Sequence, residues 1–175
     1  MEYLFLKRKR TTTASQRQKT LLFKAAEKQW EEQFADKEVG GRKVDCDLYK
    51  SVLYLLEIRQ VFLDAHLSLK KLSAMVDTNQ TYLSNVINRY FGCNLKELVN
   101  TYRVEYAKEL LCAEKYPLKD IPGHCGFTSR SVFYSAFGKI AGMSPLRYLS
   151  REERKTNVAD YKSDDLLITK MYNQF

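Results

Sequence analysis

Apolar residues recur along this chain at intervals of three and four, the spacing that places side chains on one face of an α-helix. The first stripe predicts a helix over 17–34, with apolar residues at every fourth position: Leu22, Ala26, Trp30 and Phe34. A second stripe predicts a helix over 47–62, through Leu48, Val52, Leu55, Leu56, Arg59 and Phe62. The first stripe is short, which favours packing onto its own domain; the alternative is a homodimer through this N-terminal helix.

Helix start and stop signals divide the next part of the chain into short segments. Ser68 and Asn79 are predicted N-caps, while Gly92 and Gly142 are predicted helix stops. The predicted segments are helices over 69–76, 80–91, 95–113 and 128–141, a short segment over 118–125, and a last helix begun by Ser144 and Pro145. With only 7 glycines and 3 prolines in the chain, the predicted fold class is all-α.

Residues 69–99 and 118–149 repeat one pattern: a short helix, a turn, and a longer capped helix. The matched residues are Leu69 with Leu118, Lys70 with Lys119, Leu72 with Ile121 and, after one extra residue in the second turn, Leu83 with Phe133, Ile87 with Phe137 and Gly92 with Gly142. This is the helix-turn-helix pattern, whose second helix can lie in a DNA major groove. Two such units in series are a much more specific signal than one.

The longer helix of each unit is amphipathic, and its outer face carries the candidate chemistry. In the first unit the inward side is formed by Leu83, Ile87 and Tyr90, and the outward side by Gln80, Thr81, Ser84, Asn85 and Asn88. In the second unit the inward side is formed by Phe133 and Phe137, and the outward side by Arg130, Ser131, Tyr134 and Ser135. Small polar side chains and amides can approach base edges, and neither face carries an acid that would repel phosphate. A solvated helix face is the alternative interpretation of any one of these residues.

The helix predicted over 95–113 sets the separation of the two units. It is a rod of roughly 27 Å, given the rise per residue of an α-helix. With its flanking turns it can hold the two outer faces about 34 Å apart, which is one turn of DNA. A single chain is therefore predicted to enter two successive major grooves of double-stranded DNA.

Composition and charge agree with a folded protein that attracts polyanions. Apolar residues make up 45% of the 175 residues, which excludes a fully disordered chain. The formal net charge is +8, and residues 68–150 alone carry +5. Charge does not choose between nucleic acid and an anionic membrane, and a basic protein without a polyanion partner is a further alternative.

The sequence carries no signal of catalysis or metal binding. The 4 cysteines form no Cys-x-x-Cys pair and no histidine stands at ligand spacing, so we expect reduced thiols, with Cys112 and Cys125 in apolar surroundings. There is no glycine-rich phosphate loop, and His124 beside Cys125 fits a structural or exposed side chain better than a catalytic one. The sequence therefore predicts no enzyme, no metal site and no cofactor.

The two ends of the chain differ from its middle. The start, MEYLFLKRKR, joins four apolar residues to four cations. Because a membrane span takes about 20 apolar residues, this start is either a basic arm of a cytoplasmic protein or the cytoplasmic end of a membrane anchor. We divide the chain into a basic arm with a helical extension (1–46), a double helix-turn-helix DNA-binding domain (47–150) and a polar tail (151–175).

Four stretches resemble the AraC/XylS family of transcription regulators: YLSNVINRYFG, YRVEYAKELL, GFTSRSVFYSAFGKIAGMSP and RYL. The stretch FLDAHLSLKKLS also resembles regulators whose sensory part spans a membrane. The resemblance covers residues 50–150 and implies a seven-helix domain with two recognition helices, whose base-facing positions fall on the outer faces named above. It implies a regulator that acts with RNA polymerase or a sensor partner. The family's effector-binding β-barrel is missing, so we expect no small-molecule pocket.

Two departures from the family pattern affect the second unit. Pro122 and Gly123 follow Ile121 where the family usually continues its helix, at an expected cost of up to about 3–4 kcal/mol unless the helix is locally reshaped. Gly138 stands where the family commonly places lysine, so we expect one phosphate contact to be lost or to pass to its neighbour Lys139. Pro122, Gly123 and the N-terminal extension support an alternative function, a helical protein-interaction module, tethered to a membrane or free, that no longer reads DNA.

Overall fold

The chain folds into helices and turns over the residues that its computed structural model describes, which are 16–34, 43–113 and 116–152. In chain order these are α1 (Gln16–Phe34), α2 (Lys43–Glu57), a 3₁₀ turn (Val61–Leu63), α3 (Leu69–Met75), α4 (Gln80–Phe91), α5 (Leu95–Cys112), α6 (Ile121–His124), α7 (Arg130–Ala141) and a helical stretch over 145–152. The all-α fold class is confirmed. The predicted basic arm at 1–10, the stop at 39–42 and the tail from 153 onward lie outside the described residues.

These helices form two compact units, and the boundary lies within α5, between Tyr102 and Arg103. α5 is a single helix of 18 residues that begins at the predicted position and ends one residue earlier than predicted. Each unit therefore contains one part of α5. The division of the chain at 46/47 and 150/151 stays a prediction, although α2 crosses the first of these boundaries because it begins at Lys43.

α1 buries its apolar stripe against its own unit. Leu22, Ala26 and Trp30 are 1%, 0% and 7% exposed. The centroid of the Trp30 ring lies 5.3 Å from that of Tyr49 on α2 and 4.3 Å from that of Tyr90 on α4. Packing of this helix onto its own domain is therefore confirmed, and the stripe is engaged within the chain.

α2 begins and ends earlier than its apolar spacing predicts, at Lys43–Glu57 instead of 47–62. Beyond its end, Gln60 takes a left-handed conformation with φ 53°. Phe62 stays buried because the 3₁₀ turn directs it inward, whereas Arg59, predicted to lie on the same stripe, is exposed. The prediction of one helix reaching 62 is wrong. The helix is broken by a turn that contains no glycine or proline, and the apolar spacing resumes after that turn.

The same caps and stops shape both helix-turn-helix units. The side chains of Ser68, Asn79 and Ser129 each accept a hydrogen bond from the backbone N–H three residues later. α4 and α7 end at Gly92 and Gly142, where φ is 68° and 69°. Glycine suits these two positions because a side chain strains a left-handed backbone. The predicted caps at Ser68 and Asn79 and both glycine stops are confirmed.

The matched apolar positions of the repeat are buried alike. The first helices of the two units bury Leu72 and Ile121 to 0% and 1% exposure. The longer helices bury Leu83, Ile87, Phe133 and Phe137 to 0% exposure. The internal repeat is therefore a repeat of packing as well as of sequence, and the residues predicted to face inward do so.

The second unit accommodates Pro122 by shortening its first helix. α6 has 4 residues, whereas α3 has 7. Pro122 lies at the start of α6, where a helix does not use the backbone N–H that proline lacks. Gly123 is exposed, and a Cβ added there would meet no atom within 4 Å. The local reshaping that the sequence requires is thus present.

Of the two cysteines expected in apolar surroundings, one is buried. Cys125 lies in the core of the second unit, and burial raises the pKa of its thiol to about 12. Cys112 is exposed, so its prediction is wrong. The apolar residues Leu110 and Leu111 that precede it face inward, and each helical residue turns the next side chain by about 100°, which directs Cys112 away from the core.

Candidate nucleic-acid interface

The outer face of α4 is solvent-accessible along its length. The helix is fixed at its start by Asn79, whose Oδ1 accepts a hydrogen bond from the backbone N–H of Tyr82 at 2.8 Å. Its inner side is closed by the buried residues Leu83, Val86, Ile87, Tyr90 and Phe91. Of the predicted contact residues, Ser84 is half-buried and the others are exposed: Gln80, Thr81, Asn85 and Asn88.

The outer face of α7 is exposed in the same way. Ser129 caps the helix, its Oγ accepting a hydrogen bond from the backbone N–H of Val132 at 3.3 Å. The buried side is formed by Phe133, Ala136 and Phe137. All the predicted contact residues of this helix are exposed: Arg130, Ser131, Tyr134, Ser135 and Lys139.

Val132, which is not among the predicted contact residues, also belongs to the exposed surface of α7. Its side chain is 41% exposed, close to the 43% of Tyr134. An apolar side chain on a recognition helix can contact the methyl group of thymine. The signal that could have identified it is its position three residues before Ser135, on the same side of the helix.

The charge around both outer faces is positive. Neither α4 nor α7 contains an acidic residue, whereas Arg89, Arg130 and Lys139 lie on them and are exposed. Lys70 and Lys119, which the repeat matches with each other, are exposed at the first helix of the first unit and just before α6 in the second. Their equivalent exposed positions make them candidates for phosphate contacts.

A buried carboxylate attaches α4 to α2. Asp45, which is 5% exposed, accepts a hydrogen bond from the Tyr90 hydroxyl at 2.7 Å on Oδ2 and another from the Tyr82 hydroxyl on Oδ1. Burial and the bond to Asp45 raise the pKa of Tyr90 to about 12, so its hydroxyl remains protonated and donates. A comparable pair joins the Tyr102 hydroxyl to Glu57 at 2.7 Å. The bond between Asp45 and Tyr90 cannot be predicted from the periodicity of the sequence, because the two residues are 45 positions apart.

The described part of the chain offers little to a catalytic interpretation. Within it, no three His, Cys, Asp or Glu side chains are grouped as ligands for a metal ion. His124 stacks on Tyr116 with ring centroids 3.9 Å apart. None of the helices within 16–34, 43–113 and 116–152 combines the length and apolar content needed to cross a membrane.

Comparison with protein families and curated proteins identifies similar sequences. The sequence pattern of a family described as a helix-turn-helix domain matches residues 72–151. The chain is also similar to the melibiose operon regulatory protein of Escherichia coli (strain K12), with 33% identity over 95 residues. That stretch covers 53% of this chain and 32% of the relative. The chain thus spans about a third or less of the length of the curated relatives it matches.

The solved structures that are similar to this chain include a response-regulator domain and a DNA-binding domain. The C-terminal domain of AraT, a response regulator from Geobacillus stearothermophilus, has 26% identity and a TM-score of 0.54, covering 60% of this chain and 84% of that one. The DNA-binding domain of AdpA, a global transcriptional factor solved in complex with a target DNA, has 21% identity and a TM-score of 0.55. It covers 62% of this chain and 95% of that one, and its likeness concerns the fold alone.

Proposed function

We propose that residues 72–151, which match a helix-turn-helix domain family, form a DNA-binding domain of the AraC/XylS type, and that the chain is a sequence-specific DNA-binding transcription regulator. Its recognition helices are α4 and α7, which enter successive major grooves of one duplex. The observation that carries the proposal is the matching exposure of two capped helices whose outer faces are polar and free of acids.

The side chains on the two faces suit different base edges. Gln80, Asn85 and Asn88 of α4 carry amides, which pair with the N6 and N7 edge of adenine. Arg130 of α7 carries a guanidinium, which pairs with the O6 and N7 edge of guanine. The hydroxyl side chains exchange hydrogen bonds with either edge and allow close approach: Thr81, Ser84, Ser131, Tyr134 and Ser135. We therefore expect the two halves of the binding site to differ in sequence.

Cations beside the recognition helices supply the contacts to phosphate. Lys139 lies on α7, while Lys70 and Lys119 occupy equivalent places in the two units. Each phosphate that such a cation neutralises releases a counterion, which makes affinity fall with salt by a log–log slope of about 0.9 per contact. These lysines fix the position of the protein on the duplex and carry no sequence information.

The structure weakens the support for a protein-interaction module. Pro122 lies at a helix start that tolerates it, and Ile121 beside it is buried like its repeat partner. α1 packs its apolar stripe onto its own unit, so this stripe is not an open surface for a partner. DNA recognition therefore explains the exposed polar faces better than protein binding does.

The setting of the regulator is part of the same proposal. We expect it to act with RNA polymerase or a separate sensor partner, in the cytoplasm, either free or as the cytoplasmic part of a membrane-anchored regulator. A homodimer would use a surface other than the buried stripe of α1. We assign no catalytic step to the chain.

Selection of DNA from a random-sequence pool tests the function directly. The full chain should enrich duplexes that contain two unlike half-sites, with centres about 10–10.5 base pairs apart. Affinity for the enriched duplex should fall steeply with salt and exceed affinity for a shuffled duplex by about 10³-fold or more. Enrichment of no motif would contradict the proposal, and enrichment of a single half-site would contradict the use of two grooves.

A further inference from the structure

The buried carboxylate of Asp45 holds the first recognition helix at two points. Tyr82 and Tyr90, which both donate to it, are eight residues apart on α4. In an α-helix this separation is about 12 Å along the axis and about 80° around it. A helix held at a single point can pivot, whereas two points separated along and around the axis fix both its rotation and its position along that axis.

The two tyrosines differ in their place on the helix. Tyr90 is 4% exposed and belongs to the inner side. Tyr82 is half-buried and lies at the border between the inner side and the outer face, one turn before Asn85. The hydrogen bond of its hydroxyl to Asp45 therefore fixes the border of the face that we assign to base recognition.

We propose that Asp45 is a positioning residue for DNA recognition, which sets the rotation of α4 through Tyr82 and Tyr90 and so directs Asn85 and its neighbours at the bases. This inference rests on the proposed function. Asp45 touches no DNA in this scheme and acts through the helix it holds.

The geometry of a helix shows why such a restraint matters. Side chains reach about 5–6 Å from the helix axis, so a rotation of about 15° moves their ends by about 1.5 Å. Base-specific hydrogen bonds tolerate a spread of only about 0.5 Å in distance. A small rotation of α4 would therefore break the contacts of the outer face while leaving the helix folded.

The matched positions of α7 carry no tyrosine, which shows that a capped recognition helix of this type can form without such a link. The repeat places Val132 at the position of Tyr82 and Ile140 at the position of Tyr90, and neither side chain can donate a hydrogen bond. α7 is held instead by aromatic packing: between ring centroids, Phe133 lies 5.3 Å from Phe127 and Phe137 lies 5.8 Å from Tyr148. Of the two recognition helices, α4 is the one with tyrosines at these positions.

Aromatic rings of α1 pack directly against Tyr90. The ring of Trp30 lies 4.3 Å from that of Tyr90, and the ring of Phe34 lies 5.1 Å from it. An apolar covering limits competition by water, which strengthens a buried hydrogen bond to a carboxylate. α1 belongs to the N-terminal extension, so this extension helps to hold the first recognition helix of the DNA-binding domain.

Variants of the full chain that remove or keep individual hydrogen-bonding groups test this role. Tyr82→Phe removes the border hydroxyl and Asp45→Ala removes the carboxylate, whereas Asp45→Asn keeps an acceptor and can still bond to both tyrosines. Tyr102→Phe is the matched control, because it removes the equivalent hydroxyl from the pair with Glu57, which does not involve α4. Each variant is titrated with the duplex that the wild-type chain enriches from a random pool and with a shuffled duplex of the same composition.

We expect Tyr82→Phe and Asp45→Ala to lower the preference for the enriched duplex by at least about fivefold, the loss of one base contact. Affinity for the shuffled duplex should stay within about twofold in both variants, because phosphate contacts tolerate a small rotation. Asp45→Asn should retain most of the preference, and Tyr102→Phe all of it. An unchanged preference in Tyr82→Phe, or an equal loss in Tyr102→Phe, would overturn the inference.

Hydrogen exchange in the absence of DNA separates this inference from the proposed function. Amides of α4 should exchange faster in Tyr82→Phe, relative to amides of α7, and the control Tyr102→Phe should not show this difference. If the wild-type chain prefers no sequence, the proposed function fails, and the exchange data still decide whether Asp45 holds α4. Unchanged relative exchange in Tyr82→Phe would refute the attachment itself.

Discussion

Single side chains on the outer faces should determine base preference. Asn85 and Arg130 are exposed on α4 and α7, and their side chains offer bidentate contacts to adenine and guanine respectively. We expect Asn85→Ala and Arg130→Ala each to reduce discrimination at one base pair by about 1–3 kcal/mol. Competition binding with duplexes that carry single-base changes measures this.

Two exposed residues of α1 serve as controls for these variants. Gln33→Ala removes an amide and Lys24→Ala removes a cation, and both lie on a helix to which we assign no base contact. Neither should alter base preference. Equal weakening on all duplexes by Asn85→Ala or Arg130→Ala would mean that these residues touch phosphate and not bases.

Gly138 is a residue whose replacement should strengthen the protein. It lies inside α7, and a Cβ added there would meet no atom within 4 Å. Gly138→Ala should therefore raise the free energy of unfolding by about 0.5–1 kcal/mol, because alanine favours a helix more than glycine does. Urea denaturation measures the change.

Gly142 provides the matched control for this substitution. A Cβ there also meets no atom within 4 Å, but the backbone is left-handed with φ +69°. Gly142→Ala should lower the free energy of unfolding by about 1–2 kcal/mol through backbone strain alone. If Gly138→Ala destabilised the chain as Gly142→Ala does, the helical environment assigned to Gly138 would be wrong.

Among the elements, α7 depends on its aromatic core. Phe137 is 0% exposed, and its ring lies 5.6 Å from Phe133 and 5.8 Å from Tyr148 between centroids. Phe137→Ala should cost about 3–5 kcal/mol and unfold the second unit, since the deleted ring leaves a cavity. Thermal melting followed by circular dichroism measures the loss. Ser135→Ala, on the exposed side of the same helix, should change the stability by less than about 0.5 kcal/mol.

Local signals allowed most elements to be predicted, and contacts between distant residues account for the errors. Caps such as Asn79 and stops such as Gly92 act within one turn of the helix, so the residue type alone predicts where the helix begins or ends. The end of α2 was predicted wrongly because Gln60, which no glycine rule marks, takes the left-handed conformation. Cys112 was misplaced because apolar neighbours in sequence do not fix the direction of a side chain.

The candidate site divides in the same way. Helical periodicity was enough to predict the outer faces, since a buried residue such as Leu83 or Phe133 determines which positions lie opposite to it. The bond between Asp45 and Tyr82 could not be predicted, because it joins helices through a fold that the periodicity does not specify. The periodic pattern thus indicates which residues face outward, while long-range contacts determine how firmly they are held.

For the complete chain, the proposed use of two grooves predicts that the effects of the two recognition helices add. Asn85 belongs to the first unit and Arg130 to the second, so in this scheme they contact different half-sites. Substitutions that share no partner add within about 0.3–0.5 kcal/mol. The double variant Asn85→Ala/Arg130→Ala should therefore lose the sum of the two single losses on a duplex with both half-sites. On a duplex with one half-site scrambled, only the variant that contacts the intact half should weaken binding further. A double variant that loses no more than the stronger single variant would show that one helix alone reads the DNA.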